Sequence, residues 1–279
     1  MFAKQTLITK LITAMPAKEQ SQPSDAEKLT GEAALRIWRI WTPLWKIRNQ
    51  GDGSLFAWWT VLGMLLLLCP YLLTNWIASY RQVTVWDPKT LFILADGAYL
   101  DHTIPFIDWS ILVYYTIFAF YVALPLSAPR NDAGRRELLI AVQFIALSSW
   151  LAYLAFLFCP AEIRLRFHPD VQEQMATSWT APLYGWFHWL DRPYNAWPSL
   201  HVTQTFLAAM AISRWWKARG LHLRMFTMWV LWASLTISTL TTKQHFLWDA
   251  ISGLLLGLLT WWFGFRLAMR TQKIFGTQN

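Results

Sequence analysis

Six apolar runs constrain this chain of 279 residues more than any other feature of its sequence. Each run is close to the ~20 residues that one helical crossing of a bilayer requires, and soluble domains rarely repeat such runs. With 55% hydrophobic and 14% charged residues, the chain is predicted to be all-α, a transmembrane helical bundle of six spans. The predicted spans are 56–78, 107–127, 138–158, 199–213, 225–242 and 246–268.

The segments that flank these runs are polar. Residues 1–28 lack an apolar stretch of the signal-peptide type and are predicted to be a disordered cytoplasmic N-terminus. Residues 55–268 form one predicted membrane-embedded domain, which is followed by a cytoplasmic tail at 269–279.

Residues 29–50 differ from the rest of the N-terminal region because tryptophans recur there among basic residues. Trp38, Trp41 and Trp45 follow helical spacing, which predicts an amphipathic helix at the cytoplasmic interface, broken near Pro43. A partner-binding helix is the alternative interpretation of this pattern.

The distribution of basic residues predicts the orientation of the spans. Eighteen of the 24 lysines and arginines lie in the N-terminal segment, in the loops after the second and fourth spans, and in the C-terminal tail together with the last residues of the sixth span. The positive-inside rule therefore places both termini in the cytoplasm and the other three loops outside. The net charge of +8 comes in short blocks between apolar runs, a pattern typical of loops that contact anionic lipids. Membrane lipids are thus predicted partners, and nucleic acid is not.

Two histidines and an aspartate lie at the outer ends of predicted spans, where ionisable groups are costly to bury and indicate function. His201 begins the fourth span, and His245 and Asp249 are four residues apart in KQHFLWDA. On a helix this spacing brings the two side chains together, so the carboxylate can hold one imidazole nitrogen and leave the other nucleophilic. Taken alone, an ordinary helix start at PSLH and a structural His–Asp pair explain the same residues.

Basic residues and serines accompany this trio on the predicted outer side. They are Arg164, Arg166, Arg192, Lys243, Ser199 and Ser238. The two arginines after the third span also fit the alternative of juxtamembrane anchors whose charges reach the headgroups. Ser238 lies two turns before His245 and shares its face if the helix is continuous.

Together these motifs resemble the type-2 phosphatidic acid phosphatase superfamily, integral-membrane relatives of the vanadium haloperoxidases. That family carries three motifs on one face of six spans: KxxxxxxRP, PSGH and SRxxxxxHxxxD. Here PSLH at 198–201 matches the second motif, and STLTTKQHFLWD at 238–249 matches the third. The stretches DHTIPFIDW at 101–109, CPAEIR and RPYNAWPSLH are similar to a bacterial branch grouped with inositol-phosphorylceramide-synthase-like enzymes.

The chain departs from the family pattern at three points. Thr239 replaces the arginine of the third motif, Leu200 replaces the glycine of the second, and KxxxxxxRP is absent. Positive charge for a phosphate must therefore come from other residues. Ranked as candidates, these are Arg164 first, then Arg192 and Lys243, with Arg166 in reserve.

The resemblance implies a phosphohistidine mechanism. His245 would attack phosphorus while Asp249 fixes its tautomer, and His201 would protonate the leaving alkoxide and then activate water or an alcohol. Ser199, Ser238 and backbone amides at the start of the fourth span would donate hydrogen bonds to the phosphate. This chemistry needs no metal and no other cofactor.

Three functions stay open on the sequence. A lipid-phosphate phosphatase on the extracytoplasmic face is the first, and its substrate would be phosphatidic acid, phosphatidylglycerol phosphate, a polyprenyl pyrophosphate or a ceramide-type lipid. A phosphotransferase that makes phospholipid or phosphosphingolipid headgroups differs only in its acceptor. A non-catalytic lipid-binding relative is the third, favoured by Thr239 and the missing first motif. The resemblance suggests a multi-pass protein of a bacterial inner membrane.

Overall fold

The computed structural model of the chain describes residues 38–47, 54–266 and 268. The regular structure of this part is helical, and only two isolated β-bridges occur in it. Its α-helices are α1 (Thr42–Lys46), α2 (Ser54–Arg81), α3 (Leu100–Thr103), α4 (Ser110–Tyr114), α5 (Ile117–Ser127), α6 (Asp132–Phe158), α7 (Pro169–Thr177), α8 (Ala181–Leu190), α9 (Leu200–Ala218), α10 (His222–Thr241) and α11 (Leu247–Thr260). The all-α prediction is confirmed for the described residues.

Five stretches in the described part are long and apolar enough to cross a membrane. They are Phe56–Arg81, Ser110–Ser127, Asp132–Phe158, His222–Thr241 and Leu247–Phe265. The fourth predicted span forms α9, but polar residues such as Thr203 and Gln204 make this helix less apolar than the others. Both side chains are buried, because α9 packs against α5, α6, α10 and α11 inside the bundle. The count of six spans stays a prediction.

Only residues 38–47 of the predicted interfacial helix are described, and they hold a 3-10 turn followed by α1. Pro43 lies in the first turn of α1, where its missing N–H removes no helical hydrogen bond. Trp45 is fully buried, with the Arg136 guanidinium of α6 5.1 Å from its ring centre. The predicted disordered N-terminus, 1–28, and the predicted tail, 269–279, lie outside the described residues.

The first turns of α9 and α11 are held together by a close backbone approach. A Cβ added to Gly253 of α11 would lie 2.4 Å from the carbonyl oxygen of Ser199, so only glycine fits there. The amide of Ser199 donates to the carbonyl of Asp249 at 3.0 Å, and the Thr203 hydroxyl donates to the carbonyl of Gly253 at 2.8 Å. These contacts fix PSLH against the start of α11.

Alanine at position 253 is expected to lower the free energy of unfolding by about 1–3 kcal/mol, because the added methyl forces the two helices apart. The matched control is Gly185→Ala in α8, where nothing lies within 4 Å of the added Cβ. Thermal unfolding of the purified protein in detergent compares the two variants. Equal melting temperatures for both variants would show that the backbones at Gly253 and Ser199 leave room for a methyl group.

The segment between α6 and α9 forms two short helices, α7 and α8, which cover one end of the bundle. Their apolar faces pack against α4 through a cluster that includes Val171, Met175, Tyr184 and Phe187. The fully buried Tyr114 of α4 belongs to the same cluster. The cover therefore fixes an aromatic side chain beside the start of α9.

Candidate active site

His245 lies on a turn between two helices. Helix α10 ends at Thr241, and Lys243 then adopts a left-handed conformation with φ of 59°. The amides of Gln244 and His245 both donate to the carbonyl of Thr239 at 3.1 Å, which closes the turn. The side chain of His245 is 4% exposed.

Helix α10 ends at Thr241, so the helix is not continuous from Ser238 to His245 and the condition for a shared face is not met. Ser238 is buried, and its hydroxyl donates to the carbonyl of Leu235 in its own helix at 2.7 Å. Its predicted role as a phosphate donor therefore competes with a hydrogen bond that it already makes.

Asp249 lies beside one ring nitrogen of His245. The distance from His245 Nδ1 to Asp249 Oδ2 is 3.5 Å, and the carboxylate is fully buried. Oδ2 also accepts the amide of Phe246 at 2.8 Å, so the carboxylate caps the first turn of α11. This second contact fixes the carboxylate in position to orient the imidazole.

The other ring nitrogen of His245 faces two groups from the start of α9. His245 Nε2 lies 3.2 Å from the Ser199 hydroxyl and 3.1 Å from His201 Nδ1. Ser199 occupies the N-cap position of α9, yet its hydroxyl makes no capping hydrogen bond. The serine of PSLH thus faces the histidine of the third motif and does not serve as an ordinary helix cap.

One arrangement of protons fits the contacts among Tyr114, His201 and His245. Tyr114 lies 2.7 Å from His201 Nε2 and can donate to it, which leaves His201 Nδ1–H to donate to His245 Nε2. His245 then carries its own proton on Nδ1, next to Asp249. In this state Nε2 of His245 holds the lone pair that a nucleophile needs.

Burial keeps His245 in its neutral form. It lowers the pKa of His245 to about 3, with a backbone interaction at Ala196 opposing the shift and the Arg166 guanidinium adding to it. Burial also lowers the pKa of the neighbouring His188 to about 3. At neutral pH both imidazoles are therefore uncharged.

Of the two arginines in CPAEIRLRF, the structure buries Arg166. Its Nη1 donates to the carbonyl of Asp191 at 3.2 Å and to Gln244 Oε1 at 3.3 Å. Its Nε has no hydrogen-bond partner among the described residues. The reserve candidate thus contacts the residue before His245 and keeps one donor free.

Arg164, which the sequence ranks first as a source of phosphate-binding charge, lies away from the histidines. The side chain of Arg164 is 69% exposed and pairs with Glu162 at 2.8 Å. A 3-10 turn at Leu165–Phe167 breaks the extended path of the segment, so Arg164 and Arg166 do not share a face. The structure does not bring Arg164 into the histidine cluster.

The remaining predicted basic residues also differ in their placement. Arg192 is exposed. Lys243 is buried, and its ammonium donates to the carbonyls of Asp101, at 3.0 Å, and Ile104. Asp101 in turn accepts the amide of Leu247 at 2.7 Å. Lys243 therefore connects the loop before α4 to the turn that carries His245.

Sequence reasoning missed a buried carboxylate in this region. Asp191 Oδ1 accepts hydrogen bonds from the Tyr71 hydroxyl at 2.7 Å and from Asn75 Nδ2 at 2.5 Å. Burial raises the pKa of Asp191 to about 6, against the pull of the Arg166 guanidinium. The only sequence signal for this residue was its place directly before Arg192.

A cavity of about 100 Å³ adjoins the cluster. Its polar residues include Tyr114, His201 and Asp191. Its apolar wall comes from α2, α5, α8 and α9 and includes Leu68, Leu72, Ile117, Phe118, Leu190 and Leu200. His201 thus borders an apolar space inside the bundle.

Among residues 38–47, 54–266 and 268, no group of three or more His, Cys, Asp or Glu side chains is placed to hold a metal ion. The groups that the site offers to a ligand are imidazoles, a hydroxyl, a guanidinium and backbone amides. The first-turn amides of α9 have no acceptor within the helix, so they suit an anion.

The fold and this cluster define a class of protein: a bundle of apolar helices of membrane-spanning length with a buried His–His–Asp site at one end. A family model described as the PAP2 superfamily, the type-2 phosphatidic acid phosphatases, matches residues 94–263. The match covers more than half of the chain, and the protein belongs to this superfamily. Membership indicates a function of the phosphatase or phosphotransferase type. No curated protein and no solved structure matches the chain.

Proposed function

We propose that the protein is an integral-membrane lipid-phosphate phosphatase that works through a phosphohistidine on His245. The observation that carries the proposal is the position of His245 Nε2, which faces the Ser199 hydroxyl and His201 Nδ1 while Asp249 lies beside Nδ1. The substrate is a phosphomonoester or pyrophosphate of a lipid. The site faces the outside of a bacterial inner membrane, with both chain termini in the cytoplasm, as the distribution of basic residues predicts.

In the first step the phosphoryl group enters between the two histidines. The lone pair of His245 Nε2 forms a bond to phosphorus, and the bond from phosphorus to the lipid oxygen breaks. With substrate bound, His201 holds a second proton taken from the substrate phosphate. Its imidazolium gives the Nδ1 proton to that oxygen and becomes a neutral imidazole, so a neutral alcohol leaves. The buried Asp249 carboxylate stabilises the positive charge that develops on the His245 ring.

In the second step water takes the place of the alcohol. His201, now without the proton, removes one from the water as the water oxygen attacks phosphorus. The N–P bond breaks, phosphate leaves, and both histidines return to their starting protonation. The cycle therefore balances with a single proton carrier.

Charge on the phosphoryl oxygens requires donors in a site that excludes water, and this is usually the largest contribution in such chemistry. We assign this role to Arg166, with the Ser199 hydroxyl and the first-turn amides of α9. Arg166 is buried, has a free Nε donor, and bonds Gln244 beside His245. It supplies the positive charge that is missing from the third motif, where Thr239 stands in place of the arginine.

A phosphotransferase is the second candidate, and the cavity beside His201 favours it. An apolar space that borders the acid–base histidine lets a lipid hydroxyl reach phosphorus where water would otherwise attack. The same intermediate then passes its phosphoryl group to a lipid. The resemblance of the outer segments to the inositol-phosphorylceramide-synthase-like branch fits this alternative.

A panel assay separates the candidates. Purified protein is given phosphatidic acid, phosphatidylglycerol phosphate, a polyprenyl pyrophosphate and a phosphodiester lipid, each with and without a lipid alcohol. Release of free phosphate supports the phosphatase, and a labelled acceptor lipid supports the transferase. If the wild type yields no more of either product than His245→Ala does with every donor, the protein is a non-catalytic relative and the proposal fails.

A further inference from the structure

The cavity beside His201 has a polar end and an apolar wall that reaches the outside of the bundle. Phe118, which lines it, is 41% exposed on the face of α5 that a bilayer would cover. Leu72 and Ile117 continue the wall between α2 and α5. A chain that lies in the membrane therefore has an apolar route to His201.

The volume of the cavity limits what enters it. At about 100 Å³ the cavity is smaller than a cavity of ~150 Å³ that holds one benzene molecule. This space admits the first carbons of one apolar chain, while the paired chains of a diacylglycerol would need a wider opening. The cavity thus selects for a single chain next to the reacting oxygen.

The carboxylate of Asp191 is the unusual part of this apolar space. Both of its hydrogen bonds go to Oδ1, and no described residue donates to Oδ2. None of the ion pairs among the described residues involves it. A carboxylate oxygen in an apolar environment is costly unless a donor meets it, so Oδ2 favours a ligand that brings one.

We propose that this cavity binds the alcohol part of the substrate or acceptor, a single-chain lipid alcohol with a second hydrogen-bond donor for Asp191. The reacting oxygen meets His201, and the second donor, a hydroxyl or an ammonium, meets Asp191 Oδ2. The inference rests on the proposed function for the identity of the reacting oxygen. Its chemistry is that of a long-chain diol or amino alcohol.

Binding can be measured without turnover, because a ligand that binds the folded state raises the melting temperature, and at a fixed concentration a tighter ligand raises it more. The probes are 1-dodecanol, 1,2-dodecanediol and 2-amino-1-dodecanol, added to the purified protein in detergent at pH 7.5. We expect the diol or the amino alcohol to bind more tightly than dodecanol. If only the amino alcohol binds more tightly than dodecanol, the donor to Asp191 is an ammonium. If the diol and the amino alcohol bind equally tightly, a hydroxyl and an ammonium serve equally well.

Two substitutions test the two parts of the cavity. Asp191→Asn is expected to weaken the preferred probe about ten-fold or more, since a hydrogen bond to a charged group is lost. Leu72→Trp fills the apolar wall and is expected to remove the melting shift of all three probes. Leu73→Trp is the matched control, because Leu73 is 57% exposed on the outer face of the same helix. Ile117→Phe repeats the filling test from α5 if Leu72→Trp does not fold.

Three results overturn the inference: a wild type that binds all probes equally or not at all, Asp191→Asn with an unchanged preference, or filled cavities that bind like the Leu73→Trp control. The binding contrasts do not depend on catalysis. Absence of phosphate release and transfer with intact contrasts would refute the proposed function alone, and normal turnover without the contrasts would refute this inference alone.

Discussion

Replacement of His245 by alanine is expected to lower the rate of phosphate release or transfer about 10⁴-fold or more, because it removes the nucleophile. The effect should appear mainly in kcat, since the donors that hold the phosphate remain. His168→Ala is the control: this histidine has a half-exposed side chain, and the change is expected to alter activity no more than about two-fold. Melting temperatures of both variants show whether the fold is kept.

A His245→Ala protein that folds and keeps about a tenth of the wild-type rate would contradict a covalent role for this residue. Water would then attack the substrate directly, with the histidine serving as an accessory. His201→Ala provides the complementary test, since loss of a general acid is expected to cost about 10²–10⁴-fold. That loss should be smaller for substrates whose leaving group needs no proton, such as a nitrophenyl phosphate.

Replacement of Arg166 by methionine is expected to lower kcat about 10³-fold, because the guanidinium is assigned to the charge that spreads over the phosphoryl oxygens. Methionine keeps much of the buried volume while it removes the charge. The matched control is Arg164→Met, two residues earlier, where the lost ion pair with Glu162 is exposed. Exposed ion pairs contribute little, so this variant is expected to stay within about two-fold of the wild type.

Arg166→Lys should recover part of the activity, since an ammonium supplies charge without the forked geometry of a guanidinium. The outcome that reverses the assignment is a larger loss in Arg164→Met than in Arg166→Met. The exposed arginine would then reach the phosphate by a movement that the structure does not show. Equal small losses in both would place the phosphate-binding charge at Arg192 or Lys243.

The helices of the bundle could be predicted from the apolar runs, because a helix surrounded by lipid and a helix buried among other helices both need a mostly apolar sequence. Their ends were less predictable. The apolar run predicted a start at 138, yet α6 begins at Asp132, because Asn131 Oδ1 accepts the amide of Gly134 at 2.8 Å and caps the helix earlier. Because α9 contains several polar residues, its sequence did not indicate that this helix packs against four others inside the bundle.

The residues of the site were predictable where a motif fixes their spacing, as in PSLH and HFLWD. The arginines were not, because a single 3-10 turn decides which of Arg164 and Arg166 is buried, and no periodicity in the sequence marks that turn. Asp191 was missed for a similar reason. Its partners Tyr71 and Asn75 lie more than 100 positions away in α2.

The structure gives a physical account of both replaced motif residues. Leu200 is buried in a cluster with Tyr153 and Phe156, so its side chain packs into the bundle and lines the cavity. The Thr239 hydroxyl donates a hydrogen bond to the carbonyl of Thr236, and the Thr239 carbonyl accepts one from the amide of His245. The first replacement shapes the cavity wall, and the second leaves the turn intact without supplying charge.

Trapping the covalent intermediate is the sharpest test of the proposed mechanism. Purified protein is mixed with a radiolabelled lipid phosphate, quenched in alkali during turnover to preserve a phosphoramidate, digested and sequenced by mass spectrometry. A phosphohistidine mechanism requires a phosphoryl group on the peptide that contains His245, sensitive to acid and absent from His245→Ala. Label on Ser199 or His201, or phosphate release during turnover with no labelled histidine, would contradict it.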